Sequence, residues 1–266
     1  MGRKNLTPYE KVLEARKADR TNLVEYIDTL FEDFIEMHGD RLYRDDPSII
    51  GGIALFHGMP VTVIGHRKGK NTEENVRFNF GMTSPEGYRK AMRLMKEAEK
   101  FERPVITFVD TPGAYPGLEA ESNGQSNAIA ESIALMSRLK VPTISIVTGE
   151  GSSGGALALA MADRVWMLEH SVYSILSPEG FSTIMWKDRS KAAQACEIMK
   201  ITAKELKEYG IIDGIIPEGK RSIAAIDKVL SVELSRLKKN SGDTLVKNRL
   251  QKFRRINESA FKNDAS

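Results

Sequence analysis

Apolar residues recur along the chain with two periods, and the two kinds of segment alternate between about residues 50 and 218. Short runs rich in β-branched and aromatic residues, VITFVD (105–110) and TISIVT (143–148), predict buried strands. Amphipathic segments over 85–101 and 125–139 precede them and predict helices. Because strands that alternate with helices of this length form βαβ units, the pattern predicts an α/β fold with largely parallel strands.

The other predicted elements complete this alternation. Two strands joined by a turn at His57-Gly58 are expected over 50–66, and the polar, basic segment 67–81 is expected to be a surface loop. The remaining predictions are a short helix 154–162, strands 164–168 and 171–177, and helices 178–187, 190–200, 203–209, 222–239 and 243–258.

The first 40 residues are predicted to be helical. Thr7, Pro8 and Glu10 have the spacing of a capping box with proline in the first turn. A second helix is expected over 23–35, where apolar residues recur at helical spacing until His38-Gly39 interrupts them. Its apolar face must be covered either by the chain's own domain or by a partner subunit.

No linker rich in proline, glycine and serine divides the segment from residue 50 to 218. The chain is therefore predicted to hold one core domain, residues 46–220, flanked by an N-terminal helical extension (1–45) and a C-terminal helical extension (221–266).

Composition and charge narrow the class of protein. With 41% hydrophobic and 28% charged residues, the 266-residue chain has the composition of a globular protein. Basic and acidic residues nearly balance, and the net charge of +3 is too small to favour nucleic acid as a partner. No apolar run is long enough to span a membrane. The first residues lack the apolar stretch of a secretory signal, and Cys196 is the single cysteine. We therefore expect a cytoplasmic protein with no disulfide framework, and no metal site in this chain.

Two of the predicted strands end in glycine-rich turns, DTPGAYPG (110–117) and GEGSSGG (149–155). A strand that leads through such a turn into a helix presents free backbone N–H groups and a positive dipole end at one point, where an anion or a developing oxyanion is stabilised. Gly149, Gly151 and Gly154 also fit the dinucleotide fingerprint, with Glu169 about 20 residues on. That fingerprint belongs on a first strand, however, and here a second glycine turn precedes it. Two converging turns favour an oxyanion hole.

Several longer stretches resemble the alpha subunit of the acetyl-CoA carboxylase carboxyltransferase, in order across about residues 5–258. DTPGAYPG and SPEG (177–180) are the most selective of them. The others are FEDFIEMHGDR (31–41), GGIALFHGMPV (51–61), FGMTSPEGYRKAMRLMKEAEKF (80–101), GQSNAIAE (124–131), GEGSSGGALALA (149–160), YSILSPEG (173–180) and MWKD (185–188).

The resemblance implies a crotonase/ClpP-like fold, a spiral of ββα units. It also implies transfer of a carboxyl group from carboxybiotin, on a separate biotin carboxyl carrier protein charged by biotin carboxylase, to acetyl-CoA, giving malonyl-CoA for fatty acid synthesis. A beta subunit with a four-cysteine zinc ribbon would hold the acetyl-CoA in an α2β2 heterotetramer. The single cysteine is consistent with this chain being the alpha subunit alone.

The chemistry of that reaction assigns roles to the two turns. Carboxyl transfer develops negative charge on the ureido oxygen of biotin and on the thioester oxygen, and each oxygen needs aligned donors. The predicted donors are the backbone N–H groups of Gly113, Ala114, Gly154 and Gly155. The residues expected to bind carboxybiotin are Tyr115, Pro116, Gly117, Gly151, Ser152 and Ser153.

The sequence departs from the family pattern in two places. Ser152 stands where the family usually has glycine or alanine, and Ser122-Asn123 stands where it usually has Glu-Arg. These departures leave open a paralogous carboxyltransferase with another acyl-CoA acceptor. Two further alternatives are a stand-alone crotonase-type hydratase or isomerase and a serine peptidase. The first would use Glu119, Glu121, Glu150 or Glu179. The second would need a histidine near Ser152 or Ser153.

Overall fold

The computed structural model describes residues 6–219 and 221–256, which form helices around one sheet. The strands are β1 (Glu32–Glu36), β2 (Ile49–Phe56), β3 (Met59–His66), β4 (Val105–Thr111), β5 (Thr143–Ser152), β6 (Arg164–Leu168), β7 (Val172–Ser174) and β8 (Gly214–Ile216). The helices are α1 (Pro8–Ala15), α2 (Leu23–Leu30), α3 (Thr72–Arg77), α4 (Pro85–Lys100), α5 (Leu118–Ser122), α6 (Gln125–Arg138), α7 (Ser153–Leu157), α8 (Pro178–Trp186), α9 (Ala192–Met199), α10 (Ala203–Glu208), α11 (Ser222–Leu237) and α12 (Gly242–Arg254).

The sheet has the strand order β1-β2-β3-β4-β5-β6-β8, with β7 paired to the extended end of β5. Strands β1, β2 and β3 are antiparallel, and all pairings from β3 to β8 are parallel. The prediction of an α/β fold with largely parallel strands is therefore confirmed. Since the carboxyl ends of parallel strands lie at one edge, the turns after β4 and β5 emerge side by side.

Two apolar layers cover the sheet. On one face, residues of α4 and α6 such as Leu94 and Met136 pack against Val105 and Val147. On the other face, α2 and α11 pack against Ile106, Phe108, Ile144 and Ile146. In the described part of the chain, no helix is both long and apolar enough to cross a bilayer.

The prediction of one helix over 23–35 is wrong. Helix α2 ends at Leu30, and the next residues form β1, in which Ile35 lies opposite Ile53. This pairing depends on Gly52, because a Cβ there would lie 2.1 Å from the Ile35 carbonyl oxygen. The apolar face of α2 is buried in the chain's own core, so it needs no partner subunit. The segment before residue 46 thus contributes a strand as well as helices.

Segment 67–81, predicted to be a loop, contains α3. Asn71 caps this helix by accepting a hydrogen bond from the Glu74 N–H. The capping box at Thr7 is confirmed, with both of its reciprocal hydrogen bonds present. Four other elements differ from expectation: the short helix after β5 ends at Leu157, the strand predicted over 171–177 is confined to β7, and α5 and β8 were not predicted.

Helix α12 is attached to the core by a buried arginine. The Arg249 guanidinium binds both carboxylate oxygens of Asp163, at 3.0 and 2.8 Å, and donates to the carbonyls of Met136 and Leu139. Lys252, on the next turn, is paired with Asp213. Basic residues of an amphipathic helix usually face solvent, but here Arg249 is buried and Lys252 is half-buried.

Candidate functional site

The turn after β4 is held by hydrogen bonds from two sides. Gly113 has φ 139°, a conformation that side chains rarely allow. The Tyr115 N–H donates to the Thr83 carbonyl at 3.0 Å, and Gln125 Nε2 donates to the carbonyls of both Thr83 and Tyr115. The backbone of this turn is thus fixed against the segment that enters α4.

The turn after β5 contains a strained residue. Ser153 begins α7 with φ 57°, in the left-handed region that costs a non-glycine residue about 1–2 kcal/mol. Gly154 and Gly155 follow in the first turn of the helix, where N–H groups have no acceptor within the helix. In residues 6–219 and 221–256, neither of these N–H groups donates to any other acceptor.

The two turns are in contact at Gly155. A Cβ on this glycine would lie 2.7 Å from the Ala114 nitrogen and 3.0 Å from the Gly113 carbonyl carbon. The same point is 2.8 Å from the hydroxyl of Tyr88, a fully buried side chain of α4. With standard backbone dimensions, the Ala114 and Gly155 nitrogens lie within about 5 Å of each other. One oxygen could accept hydrogen bonds from both turns.

The four predicted donors are not equivalent. The Gly113 N–H already donates to Thr111 Oγ1, at 3.1 Å, so it is engaged. The Ala114 N–H has no acceptor within the described ranges, and Ala114 is half-buried. Gly113 therefore gives the turn its shape, and Ala114 carries the available donor.

The other predicted site residues lie in two places, the first glycine turn and the end of β5. The Tyr115 ring covers Gly117, where a Cβ would lie 2.4 Å from it, and lines a polar cavity of about 310 Å³. Pro116 is exposed between them. Gly151 and Ser152 are the last residues of β5, opposite β7.

A larger apolar cavity of about 750 Å³ opens beside Ser153 and Gly154. It was not predicted, because its wall is assembled from five helices, β6, the end of β7 and the loops between them. Among the described residues of this wall, none is a histidine that could activate Ser153 as a peptidase nucleophile. The other lining residues are Leu157, Ala160, Met161, Val165, Tyr173, Ser174, Ile175, Phe181, Met199, Ile201, Leu206, Ile211, Phe253 and Ile256.

Carboxylates near the turns are paired with basic side chains. Arg16 Nε binds Glu150 at 2.9 Å, and the same guanidinium forms a two-bond pair with Glu179 at 2.7 and 3.2 Å. Glu119 pairs with Arg44. Three of the four acids considered for a hydratase are thus ion-paired, which does not favour a free general base.

The pair between Arg16 and Glu179 makes stability depend on pH. Burial acts to raise the pKa of Glu179, but hydrogen bonds from Arg16 outweigh it and leave the pKa below its ordinary value. The stabilisation is complete above about pH 4.3, the pKa of an unfolded glutamate, and is lost as the pH falls through the lower folded pKa.

We therefore expect Glu179→Gln to melt at a lower temperature than the wild type at pH 7. The difference in melting temperature should vanish as the pH falls below about 4, because Glu179 of the wild type is then protonated and, like glutamine, no longer forms the ion pair. Thermal melting from pH 7 to 3 measures this, with Glu197→Gln, an exposed residue of the neighbouring helix α9, as control. A gap that stays constant down to pH 3 would contradict the assignment.

A protein family and several known proteins are similar to this chain in sequence. A family model described as acetyl co-enzyme A carboxylase carboxyltransferase-like matches residues 3–257. The acetyl-coenzyme A carboxylase carboxyl transferase subunit alpha of Clostridium acetobutylicum is 56% identical over 259 residues, covering 94% of each chain. Its counterpart from a Geobacillus species is 54% identical, covering 98% of this chain and 82% of the relative.

Solved structures share the fold at low sequence identity. The transcarboxylase 12S crystal structure superposes with a TM-score of 0.70 at 17% identity, covering 88% of this chain and 45% of that one. A chain of a Pseudomonas malonate decarboxylase hetero-tetramer gives 0.65 at 17% identity, covering 77% and 85%. The crotonase-like α/β fold is therefore confirmed. The family model matches nearly the whole length of the chain, so the chain belongs to the acetyl-coenzyme A carboxylase carboxyltransferase family.

Proposed function

We propose that this chain is the alpha subunit of the carboxyltransferase component of acetyl-CoA carboxylase, an enzyme that moves a carboxyl group from biotin on a carrier protein to acetyl-CoA. The product is malonyl-CoA, for fatty acid synthesis. The observation that carries the proposal is the contact of the two glycine turns at Gly155 and Ala114. Relatives that are 54% and 56% identical, over 98% and 94% of this chain, carry the name of that subunit.

The proposed mechanism uses backbone groups. An oxygen that gains negative charge during carboxyl transfer would accept from the Ala114 N–H and from the Gly154 or Gly155 N–H. Each such donor, fixed before the reaction, typically contributes about 2.7–4 kcal/mol to the transition state. Gly113 keeps the first turn in a shape that only glycine adopts readily.

Biotin on its carrier would supply the carboxyl group and, once that group has left, a ring nitrogen able to take the acetyl proton. The apolar wall beside Ser153 and Gly154 suits its ring and aliphatic chain. We propose that Gly151, Ser152 and Ser153 border the carboxybiotin on this side, and that Tyr115, Pro116 and Gly117 border it on the other. No protein general base is required, in keeping with the paired state of Glu150 and Glu179.

The proposal places acetyl-CoA on a separate beta subunit with a zinc ribbon, in an α2β2 heterotetramer in the cytoplasm. Biotin carboxyl carrier protein and biotin carboxylase would complete the complex. Large exposed apolar side chains support a protein partner: Leu118 directly follows the first turn, Ile175 lines the cavity beside Ser153, and Ile184 lies on α8. Leu118 is 85% exposed, Ile175 76% and Ile184 69%.

The test is malonyl-CoA-dependent carboxylation of free biocytin, the reaction run backwards. It is run with this chain alone and with the zinc-ribbon beta subunit from the same cell. Activity only in the mixture is expected. An inactive mixture that demonstrably forms the complex would point to another acyl-CoA acceptor and to the unusual Ser122-Asn123 segment. Failure to form the complex would favour a stand-alone crotonase-type enzyme.

A further inference from the structure

We propose that Lys68 is a positioning residue that holds the two glycine turns in register, through a set of charged side chains here called the bridging network. Its members are Arg16, Lys68, Asp110, Glu150 and Glu179. The inference rests on the proposed function, because it assigns a role in the same site. The sequence predicts a surface loop at Lys68 and gives no indication of its two carboxylate partners.

The network begins where the pairing of β4 and β5 is interrupted. Val109 lies opposite Val147 and Thr111 opposite Gly151, so three residues of β5 face Asp110 alone. Asp110 Oδ1 accepts the Glu150 N–H at 3.0 Å. Its carboxylate occupies the space beside Gly149, where a Cβ would lie 2.3 Å from it. Bulges of this kind redirect a strand end beside a site, and Asp110 holds this one.

Lys68 joins the two sides of the bulge. Its Nζ lies 2.7 Å from Asp110 Oδ1 and 3.4 Å from Glu150 Oε2. Asp110 and Glu150 lie at the start of the glycine-rich segments 110–117 and 149–155, so one ammonium group contacts the base of both turns. Burial acts to lower the pKa of Lys68, but Asp110 and Glu150 outweigh it and raise the pKa, so the group is charged at neutral pH.

The route of the lysine side chain is also fixed. Gly81 lies against it, since a Cβ there would be 3.0 Å from Lys68 Cγ and 3.0 Å from the Asp110 carbonyl oxygen. Beyond Glu150, the network continues through Arg16 to Glu179 in the first turn of α8. The N-terminal helix α1 and helix α8 are thereby connected to the base of the second turn.

The bridging network affects the position of the two glycine turns more than the stability of the fold. The side chains of Lys68, Asp110 and Glu150 are 20%, 23% and 11% exposed, and ion pairs that water reaches contribute modestly to stability. A displacement of about 1 Å at reacting groups, in contrast, can lower a rate about a hundredfold. Strand pairing is interrupted at Asp110 and resumes at Thr111 and Gly151. The bridging network spans this interruption and so constrains the separation of the two turns there.

The experiment compares Lys68→Met with Lys70→Met in the reconstituted complex with the beta subunit. Lys70 lies on the same segment but pairs with Glu25, away from the turns. We expect Lys68→Met to lower kcat for biocytin carboxylation about a hundredfold. KM for biocytin and malonyl-CoA should change less than about threefold, because the binding surfaces remain. Lys68→Arg should recover at least about tenfold of the lost kcat, because it restores the charge.

A loss of thermal stability in Lys68→Met with kcat within about threefold of Lys70→Met would overturn the proposal, because that is the result of a structural role alone. Should Lys68→Met not fold, Arg16→Gln tests the same network from its more exposed end. It is expected to lower kcat about tenfold with KM retained, and a kcat equal to that of the wild type would overturn the inference. An inactive wild-type complex would instead refute the proposed function.

Discussion

Gly155→Ala is expected to lower kcat of the assembled carboxyltransferase about a hundredfold or more, although it adds a single methyl group. That methyl would lie 2.7 Å from the Ala114 nitrogen and 3.0 Å from the Gly113 carbonyl carbon, atoms of a backbone held from two sides. The two turns must therefore separate, and the donors lose their common target. Removal of a single oxyanion donor typically costs about 10²–10³ in kcat, and this change disturbs two.

The measurement is kcat and KM for biocytin in the reconstituted complex, with complex formation checked by gel filtration. Gly180→Ala, in the first turn of α8, is the matched control. Its methyl would approach only the flexible ends of Ser177 and Leu176, at 3.2 and 3.3 Å. If Gly155→Ala forms the complex and turns over like Gly180→Ala, the turns do not form an oxyanion site.

Arg249→Met is expected to reduce the free energy of unfolding by about 3–5 kcal/mol, because it leaves the buried Asp163 carboxylate without its cation. The guanidinium is fully buried, and the carbonyls of Met136, Leu139 and Val141 lose their donor as well. For a chain of this size, the melting temperature should fall by about 10 °C.

Thermal unfolding at neutral pH measures this loss. Arg254→Met, an exposed residue of the same helix α12, should stay within about 0.5 kcal/mol of the wild type. The double variant Arg249→Met with Asp163→Asn should be more stable than Arg249→Met alone, because the uncompensated charge is gone. Equal stability of the single and double variants would mean that the charge pair is not the cause.

The sequence predicted those features that depend on neighbouring residues. Strands β2 to β6, the long helices and the capping box at Thr7 follow from periodicity and local hydrogen bonding. The two glycine turns were located as well, because conformational freedom is a property of single residues. Helix α3 had a local indication that was missed, the spacing of Asn71 and Glu74.

Features that depend on distant contacts could not be predicted in this way. Phe34 and Ile35 continue the helical spacing of α2, yet they belong to β1. They pair with the edge of β2, where Gly52 has no side chain to block their approach. Arg16 and Glu150 are 134 residues apart, and Arg249 and Asp163 are 86 apart. One missed contact is local: Thr111 engages the Gly113 N–H two residues on, and the Thr-x-Gly spacing of an ST-turn could have indicated it.

The attachment of α12 has a consequence for synthesis on the ribosome. Asp163 emerges long before Arg249, and Phe253 and Ile256, which complete the apolar cavity, emerge later still. During that interval the nascent chain holds a carboxylate without its cation and an open apolar wall beside Gly154. The site is therefore completed only after helix α12 has been translated, and until then the exposed wall offers chaperones a surface to bind.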